Sequence, residues 1–141
     1  MDYETLRLER DGPLAILTLA RPERLNAFTV RMADEILHAL DAVDADAEAR
    51  ALIVTGEGRG FCAGMDLSTE GNVFGLDESV DHTGAEAEAI RDLGGRIALR
   101  LYRMRTPVVA AVNGVAVGVG ATMTLPMDAR VISTKARIGF V

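Results

Sequence analysis

The segment PVVAAVNGVAVGVGATMTL, residues 107–125, decides the fold. It begins with a short apolar run that is typical of a buried strand, and it continues into a regular pattern of glycines. In α/β folds, ligands bind at the carboxyl ends of strands, where such turns lie. Because the segment carries no acid, base or nucleophile, three interpretations arise: a hinge, a nucleotide loop or an active site made of backbone groups.

A second glycine-rich loop has the same setting. The apolar run ALIVTG, residues 51–56, leads directly into GEGRGFCAGMDL, residues 56–67. Glycine permits a positive φ and a close approach of a ligand to the backbone, and the first turn of a helix supplies free N–H groups. Two such loops side by side would direct two N–H groups at one oxygen, as an oxyanion hole does. The alternative for each loop by itself is a tight strand-to-helix turn without a ligand.

A dinucleotide site is a further alternative for residues 107–125. The spacing Gly118-x-Gly120-x-x-Met123 departs from the GxGxxG pattern at its third glycine. No acidic residue ends a strand at the distance downstream that a ribose contact requires. The sequence therefore favours an oxyanion site over a nucleotide loop.

The rest of the chain alternates strands and helices. LRLER and LAILTLA predict a hairpin around the turn Asp11–Gly12, and apolar residues at helical spacing predict a helix from about Thr29 to Asp46, with Thr29 as its N-cap. A polar loop from Ser68 to Thr83, predicted to be mobile, precedes a second helix over about Ala85 to Met104. DARVIST and ARIGFV are predicted to be extended. This order indicates an α/β fold with crossover helices and strands covered on both faces.

Composition and charge narrow the class of protein. The 141 residues fit one domain, 49% of them are apolar, and aromatic residues make up only 4%, so we expect an aliphatic core. The net charge of −6 argues against a nucleic-acid partner, but it leaves room for small anions held by backbone dipoles. No membrane association is predicted, because no apolar run is long enough to span a bilayer and the N-terminal residues lack an apolar signal segment.

Cys62 is the single cysteine, so neither a disulfide nor a zinc cluster can form within the chain, and no metal site is predicted. A reducing, cytoplasmic location is the simplest interpretation. Cys62 itself is expected to pack as a small apolar residue. Neither His38 nor His82 is assigned a catalytic role.

Three segments resemble, in order and spacing, the signature stretches of the crotonase superfamily, also called the enoyl-CoA hydratase/isomerase family. They are RPERLNAF (21–28), GEGRGFCAGMDL (56–67) and PVVAAVNGVAVGVGATMTLPMDARVIS (107–133). The resemblance covers essentially the whole chain. It implies a crotonase-like spiral of ββα turns that binds an acyl-CoA thioester as substrate, uses no cofactor, acts in fatty acid metabolism and forms homo-oligomers, trimers or hexamers in full-length members.

Members of that family are much longer than this chain, and the sequence stops within a predicted strand at Val141. Residues 1–141 are therefore interpreted as an incomplete crotonase-like acyl-CoA-binding domain that lacks the C-terminal helical trimerisation region. The alternative is an ordinary edge strand at a C-terminus.

By position in these motifs, the resemblance implies an oxyanion hole formed by the backbone N–H groups of Met65 and Val119. Val119 stands where the family often has glycine, and it keeps the N–H. The substrate-binding residues that the resemblance implies are Arg24, Leu25, Ala27, Ala63, Gly64, Asp66, Leu67, Gly118, Gly120 and Thr122. Two of these have a simpler alternative: a solvated loop charge for Arg24 and a helix N-cap for Asp66.

The resemblance weakens at the catalytic acids. Hydratases of the family use two glutamates for water and proton transfer. The first position holds Thr122, and the second would follow Val141. Three interpretations stay open: an enzyme of another reaction type (isomerase, thioesterase or decarboxylase), an acyl-CoA-binding module, or a fragment that depends on a further C-terminal half. For the first, the candidate acids or bases are Glu70, Asp77, Glu78 and Asp81.

Two unrelated classes of protein are further alternatives. A serine hydrolase is disfavoured, because the chain has no GxSxG elbow. A structural interaction protein remains an alternative, and it would present exposed apolar surface for association.

Overall fold

Two β-sheets and three α-helices form the part of the chain that the computed structural model describes, residues 2–68 and 92–141. The strands are β1 (Leu6–Asp11), β2 (Leu14–Leu19), β3 (Ala51–Gly56), β4 (Gly60–Cys62), β5 (Val108–Val112), β6 (Val115–Val117), β7 (Ala129–Ile132) and β8 (Ile138–Gly139). The helices are α1 (Val30–Ala45), α2 (Leu93–Tyr102) and α3 (Val119–Thr122), and a 3-10 turn covers Pro22–Arg24.

The chain passes repeatedly from one sheet to the other. The larger sheet has the order β1-β2-β3-β5-β7, in which only the β1–β2 pair is antiparallel, and the smaller sheet has the order β4-β6-β8 with parallel pairs. From β3 onward each strand of the larger sheet is followed by one of the smaller sheet, and helices α2 and α3 return the chain to the larger sheet. This succession is a spiral of ββα turns, so the predicted α/β architecture is confirmed.

The two glycine-rich loops contain strands that the sequence did not predict. β4 lies within the 56–67 loop, and β6 lies within the 107–125 segment. They pair with each other, with Gly60 opposite Val115 and Cys62 opposite Ala116. Each strand has only three residues, too few for an alternating pattern to appear in the sequence.

Burial in the larger sheet alternates along the strands. In β3, Leu52 and Val54 are buried while their neighbours are only partly buried, and β5 follows the same pattern. All four residues of β7 are exposed. The prediction that the strands are covered on both faces was therefore wrong, because one face packs into the core with α1 and α2 and the other is covered only in part.

The core is mainly aliphatic, as the composition predicts, but its two largest fully buried side chains are aromatic. Phe28 and Phe61 are both inaccessible to solvent and lie in the same core cluster as the apolar face of α1. Each belongs to a signature segment, so these segments are anchored by large buried side chains. No helix in the described ranges is long and apolar enough to cross a membrane.

Helix α2 begins later than predicted. Asp92 has extended backbone, and its carboxylate accepts a hydrogen bond from the Gly95 N–H at 2.7 Å, which makes Asp92 the N-cap. Residues 85–91 of the predicted helix lie outside the described residues. So do His82, the predicted loop beyond Ser68, and the candidate acids Glu70, Asp77, Glu78 and Asp81.

The N-cap of helix α1 gives a testable prediction about stability. The Thr29 hydroxyl accepts a hydrogen bond from the Met32 N–H at 3.1 Å, as expected of an N-cap. Replacement by alanine leaves that N–H without its acceptor, so we expect Thr29→Ala to lower the free energy of unfolding by about 1 kcal/mol in urea titrations. Thr29→Ser keeps the hydroxyl and should stay close to the parent. Equal losses in the two variants would contradict the capping role.

Candidate functional site

A cavity of about 740 Å³ lies where the two glycine-rich turns meet helix α2. Helix α2 contributes Asp92, Gly94, Gly95 and Ala98, and the C-terminal residues Phe140 and Val141 also line the cavity. The sequence-predicted site residues that line it are Ala63, Gly64, Met65, Leu67, Gly118, Val119 and Thr122. The fold thus brings both predicted donors, Met65 and Val119, to one space.

The two turns are adjacent and have unusual backbone geometry. Gly64 has a φ of 96° and Gly118 a φ of 54°, a region that residues with side chains rarely adopt. A Cβ atom placed on Gly118 would lie 3.9 Å from the Gly64 Cα, and one placed on Gly64 would lie 3.2 Å from the Val117 carbonyl oxygen. Met65, which follows Gly64, and Val119, which follows Gly118, therefore lie in two neighbouring turns.

The Met65 N–H faces away from the neighbouring segment. Phe28 and Met65 form a parallel bridge in which the Phe28 N–H donates to Gly64 O and the Asp66 N–H donates to Phe28 O, each at 2.8 Å. Because successive N–H groups of an extended chain point in opposite directions, the Met65 N–H lies on the opposite side from Phe28. Within the described ranges it has no hydrogen-bond acceptor.

The Val119 N–H is free for a different reason. Val119 is the first residue of α3, and the first N–H groups of a helix have no intrahelical acceptor. The N–H groups of Ala121 and Thr122 donate to Gly118 O, but that of Val119 has no acceptor among the described residues. Two N–H groups without acceptors therefore belong to residues that line the same cavity.

The side-chain amides of Asn26 and Asn113 bind the loop of residues 56–60, which leads to the turn around Gly64. The buried Asn26 amide donates to Glu57 O at 3.0 Å and to Gly60 O at 2.8 Å, and its oxygen accepts from the Arg21 N–H. The Asn113 amide donates to Gly58 O at 3.0 Å, and its oxygen accepts from the Gly56 N–H at 3.1 Å.

The sequence analysis assigned no role to either asparagine. Two features of the sequence could have indicated such a role. Each asparagine lies in a signature segment, and a side-chain amide can bind a backbone donor and a backbone acceptor at the same time. Asp92, Gly94 and Gly95 were missed as well, because the apolar periodicity placed them inside a longer helix.

An ion pair holds the turn around Gly64 from the side away from the cavity. Arg21 donates to Asp66 Oδ2 at 3.0 Å and to Ala27 O at 2.5 Å. The Asp66 carboxylate also accepts from the Ser68 hydroxyl and N–H. The hydrogen bonds from Ser68 and then from Arg21 lower the pKa of Asp66 to about 2. Asp66 is buried and does not line the cavity, and the contacts of its carboxylate described above are with other residues of the protein.

The other predicted residues lie around the cavity rather than in it. Leu25 O accepts from the Ala63 N–H at 3.1 Å, which lays the 21–28 segment along the first turn, and Ala27 is half-buried beside it. Arg24 is exposed at the end of the 3-10 turn. Gly120 is buried, and a Cβ atom there would lie 2.2 Å from Cys62 O.

Cys62 packs as expected. Its side chain is fully buried, and burial raises the pKa of the thiol to about 11. His38 lies away from the cavity, where its ring nitrogen is 2.9 Å from the Tyr3 hydroxyl oxygen. Within residues 2–68 and 92–141, no group of three or more His, Cys, Asp or Glu side chains is placed to hold a metal ion.

Comparison with known families gives a direct match. The family model for enoyl-CoA hydratase/isomerase matches residues 9–141, nearly the whole chain. The chain belongs to the enoyl-CoA hydratase/isomerase family. The resemblance of the three signature segments is thereby confirmed.

Individual relatives include hydratases and isomerases. The chain is 43% identical over 137 residues to the enoyl-CoA hydratase ACTT3 of Alternaria alternata, covering 94% of this chain and 43% of that protein. It is 40% identical over 124 residues to the 1,2-epoxyphenylacetyl-CoA isomerase of Escherichia coli, covering 86% of this chain and 44% of that protein.

Solved structures confirm the crotonase-like fold. An enoyl-CoA hydratase subunit from Geobacillus kaustophilus superposes with a TM-score of 0.78 at 32% identity, covering 99% of this chain and 50% of that one. A monofunctional enoyl-CoA isomerase from M. smegmatis superposes with a TM-score of 0.73 at 30% identity, covering 95% and 52%. The chain thus spans about half the length of these family members.

The Asp66 contacts predict a pH dependence of stability. Because the folded-state pKa of about 2 lies below the ordinary value of 3.8, the ionised carboxylate stabilises the fold above about pH 4. That contribution is lost as the pH falls from about 4 to about 2. We expect Asp66→Asn to be less stable than the parent at pH 6, with a difference in unfolding free energy that shrinks toward pH 2 in urea titrations.

Ser68→Ala is the matched variant, because it removes one donor to the carboxylate and leaves the charge. It should move the acid-induced loss of stability toward the ordinary pKa. A difference between Asp66→Asn and the parent that is constant from pH 6 to pH 2 would exclude the ionisation of Asp66 as its cause.

Proposed function

We propose that the chain forms the thioester-binding part of an enzyme of the enoyl-CoA hydratase/isomerase reaction class, in which the N–H groups of Met65 and Val119 bind the thioester oxygen. The observation that carries the proposal is that these two N–H groups, each after a glycine of positive φ, have no acceptor among the described residues and belong to residues that line one cavity. The names of the relatives, hydratases and isomerases of CoA esters, support the same reaction class.

The physical reason lies in where negative charge develops. Removal of a proton from the carbon next to a thioester, or addition of water to its double bond, places negative charge on the carbonyl oxygen. Two donors already fixed in position stabilise that charge without reorganising, and loss of one donor typically raises the barrier by roughly 3 kcal/mol. The hydrogen bonds of Asn26 and Asn113 to the 56–60 loop support such rigidity.

The segment 21–28 is proposed to bind the CoA portion. Leu25 and Ala27 run alongside Ala63, and Arg24 extends this strip with an exposed guanidinium that suits a phosphate group. Asp66 acts through Arg21 and Ser68, and Leu67 presents an exposed apolar side chain at the cavity rim. Gly120 positions α3 by its close packing on Cys62.

Thr122 limits the reaction. Thr122 lines the cavity, and its hydroxyl donates only a long hydrogen bond of 3.4 Å to Val119 O. A threonine hydroxyl is not a general base near neutral pH, so Thr122 is proposed to contact substrate or water rather than to transfer a proton. This residue also favours a second candidate function, acyl-CoA binding with little turnover.

A cytoplasmic location and a homo-oligomeric state, trimer or hexamer, complete the proposal. The single cysteine supports the location, and the family resemblance supports the oligomer.

The donor role is testable with a ligand that becomes an enolate. Acetoacetyl-CoA ionises to an enolate with its own ultraviolet band, so the band reports how strongly the site stabilises an oxyanion. Val119→Pro removes the N–H at the first position of a helix, where proline is tolerated. We expect it to lower the ratio of bound enolate to bound ketone about 100-fold.

Val119→Ala is the matched control, since it shortens the side chain and keeps the N–H. A parallel calorimetric titration with CoA and butyryl-CoA measures binding itself. Absence of any binding at millimolar ligand would refute the thioester site, and equal enolate ratios in Val119→Pro and Val119→Ala would refute the donor role of Val119.

A separate prediction concerns hydration. For a polypeptide of residues 1–141 alone, we expect Thr122→Glu to leave crotonyl-CoA hydration, followed by the loss of the enoyl absorbance, as low as in the parent. The reason is that hydration by the two-glutamate route needs a second acid at the position that would follow Val141. Thr122→Gln controls for side-chain size. Robust hydration by Thr122→Glu would contradict the two-acid account.

A further inference from the structure

The Val119 side chain contacts helix α2 at a position that has no side chain. A Cβ atom placed on Gly94 would lie 3.1 Å from Val119 Cγ2, closer than an ordinary van der Waals contact, and 4.0 Å from Val119 Cβ. Gly94 lies in the first turn of α2 and does not have a positive φ, so the backbone conformation does not require glycine there. Helix propensity does not explain Gly94 either, because glycine is among the poorest helix formers. The physical reason for glycine at this position is the space that it leaves for the Val119 side chain.

Val119 also lies next to the proposed thioester oxygen, because its own N–H is one of the two donors. Its Cγ methyl groups therefore lie close to the reacting end of an acyl group, at the carbonyl and the carbon beside it. Farther along α2, Gly95 has no side chain and Ala98 has only a methyl group, so on the α2 side of the cavity Val119 is the bulky residue among those described.

We propose that Val119 and Gly94 form a matched pair that sets the width of the acyl cavity beside the reacting carbon, so that the site selects straight-chain acyl groups over groups branched at that carbon. This inference rests on the proposed function. Val119 narrows the cavity where a branch would lie, and Gly94 gives the valine room to stay in its position.

The test uses two isomeric ligands that differ only in branching. Butyryl-CoA and isobutyryl-CoA have the same atoms and lack the double bond that hydration requires, and calorimetry gives the dissociation constant of each for every variant. The measured quantity is the ratio of the isobutyryl to the butyryl constant. This ratio does not depend on the fraction of protein that is folded, so a loss of stability cannot imitate a change of selectivity.

Val119→Ala removes the two Cγ methyl groups and should lower the ratio about tenfold, within the range that methylene-sized changes produce. Gly94→Ala pushes Val119 toward the cavity and should raise the ratio. In the double variant Gly94→Ala/Val119→Ala, the new methyl group fills the space that Cγ2 leaves, so the ratio should return toward the wild-type value. Such a return requires the two positions to be coupled.

Each outcome decides between the two proposals. If both thioesters bind and Val119→Ala leaves the ratio unchanged, the selectivity inference fails and the thioester site stands. If the effects of the two substitutions simply add, with no return in the double variant, the pairing fails. If neither thioester binds the wild-type protein, the proposed function fails, and this inference fails with it.

Discussion

The hydrogen bonds of Asn26 and Asn113 to one loop are the constraint on which the candidate site depends. That loop carries the chain from β3 in the larger sheet to β4 in the smaller one, and Asn113 occupies the equivalent connection from β5 to β6. Because the Asn113 amide binds Gly56 and Gly58, the two connections cannot move independently. Together with the β4–β6 pairing and the Phe28–Met65 bridge, these bonds hold the turns that carry the Met65 and Val119 N–H groups.

A site built from backbone N–H groups places unusual demands on a sequence. It requires glycines that permit the turns and small residues where elements pack closely, and it leaves the side chain at the donor residue free to vary. Val119 illustrates this freedom, since a branched side chain stands at a proposed donor position without removing the N–H. The relatives of this chain include both an enoyl-CoA hydratase and a 1,2-epoxyphenylacetyl-CoA isomerase. Under the proposed function, side chains around the two donors decide the substrate and the reaction.

The sequence predicted best what depends on neighbouring residues. Helix α1 was placed to within a residue at each end, because its N-cap and its apolar period are both local. The strands β4 and β6 were missed, because these paired strands are more than fifty residues apart in the sequence and each is too short for a pattern. The start of α2 was misplaced, because the apolar period continues before Leu93 whereas the capping bond of Asp92 depends on backbone geometry. The roles of Asn26 and Asn113 could not be predicted, since their partners lie in other segments.

The sequence by itself determined the α/β class, the family and the two glycine-rich segments that carry the candidate site, because glycine patterns and apolar periods are properties of consecutive residues. Only the tertiary structure decided that Met65 and Val119, whose N–H groups have no acceptor among the described residues, line one cavity. It also decided that the Asp66 carboxylate binds Arg21 and Ser68 and does not line that cavity, and that Val119 fits against Gly94. Each of these is a relation between segments far apart in the chain. Such relations arise from the packing of the two sheets and α2, which no single stretch of sequence encodes.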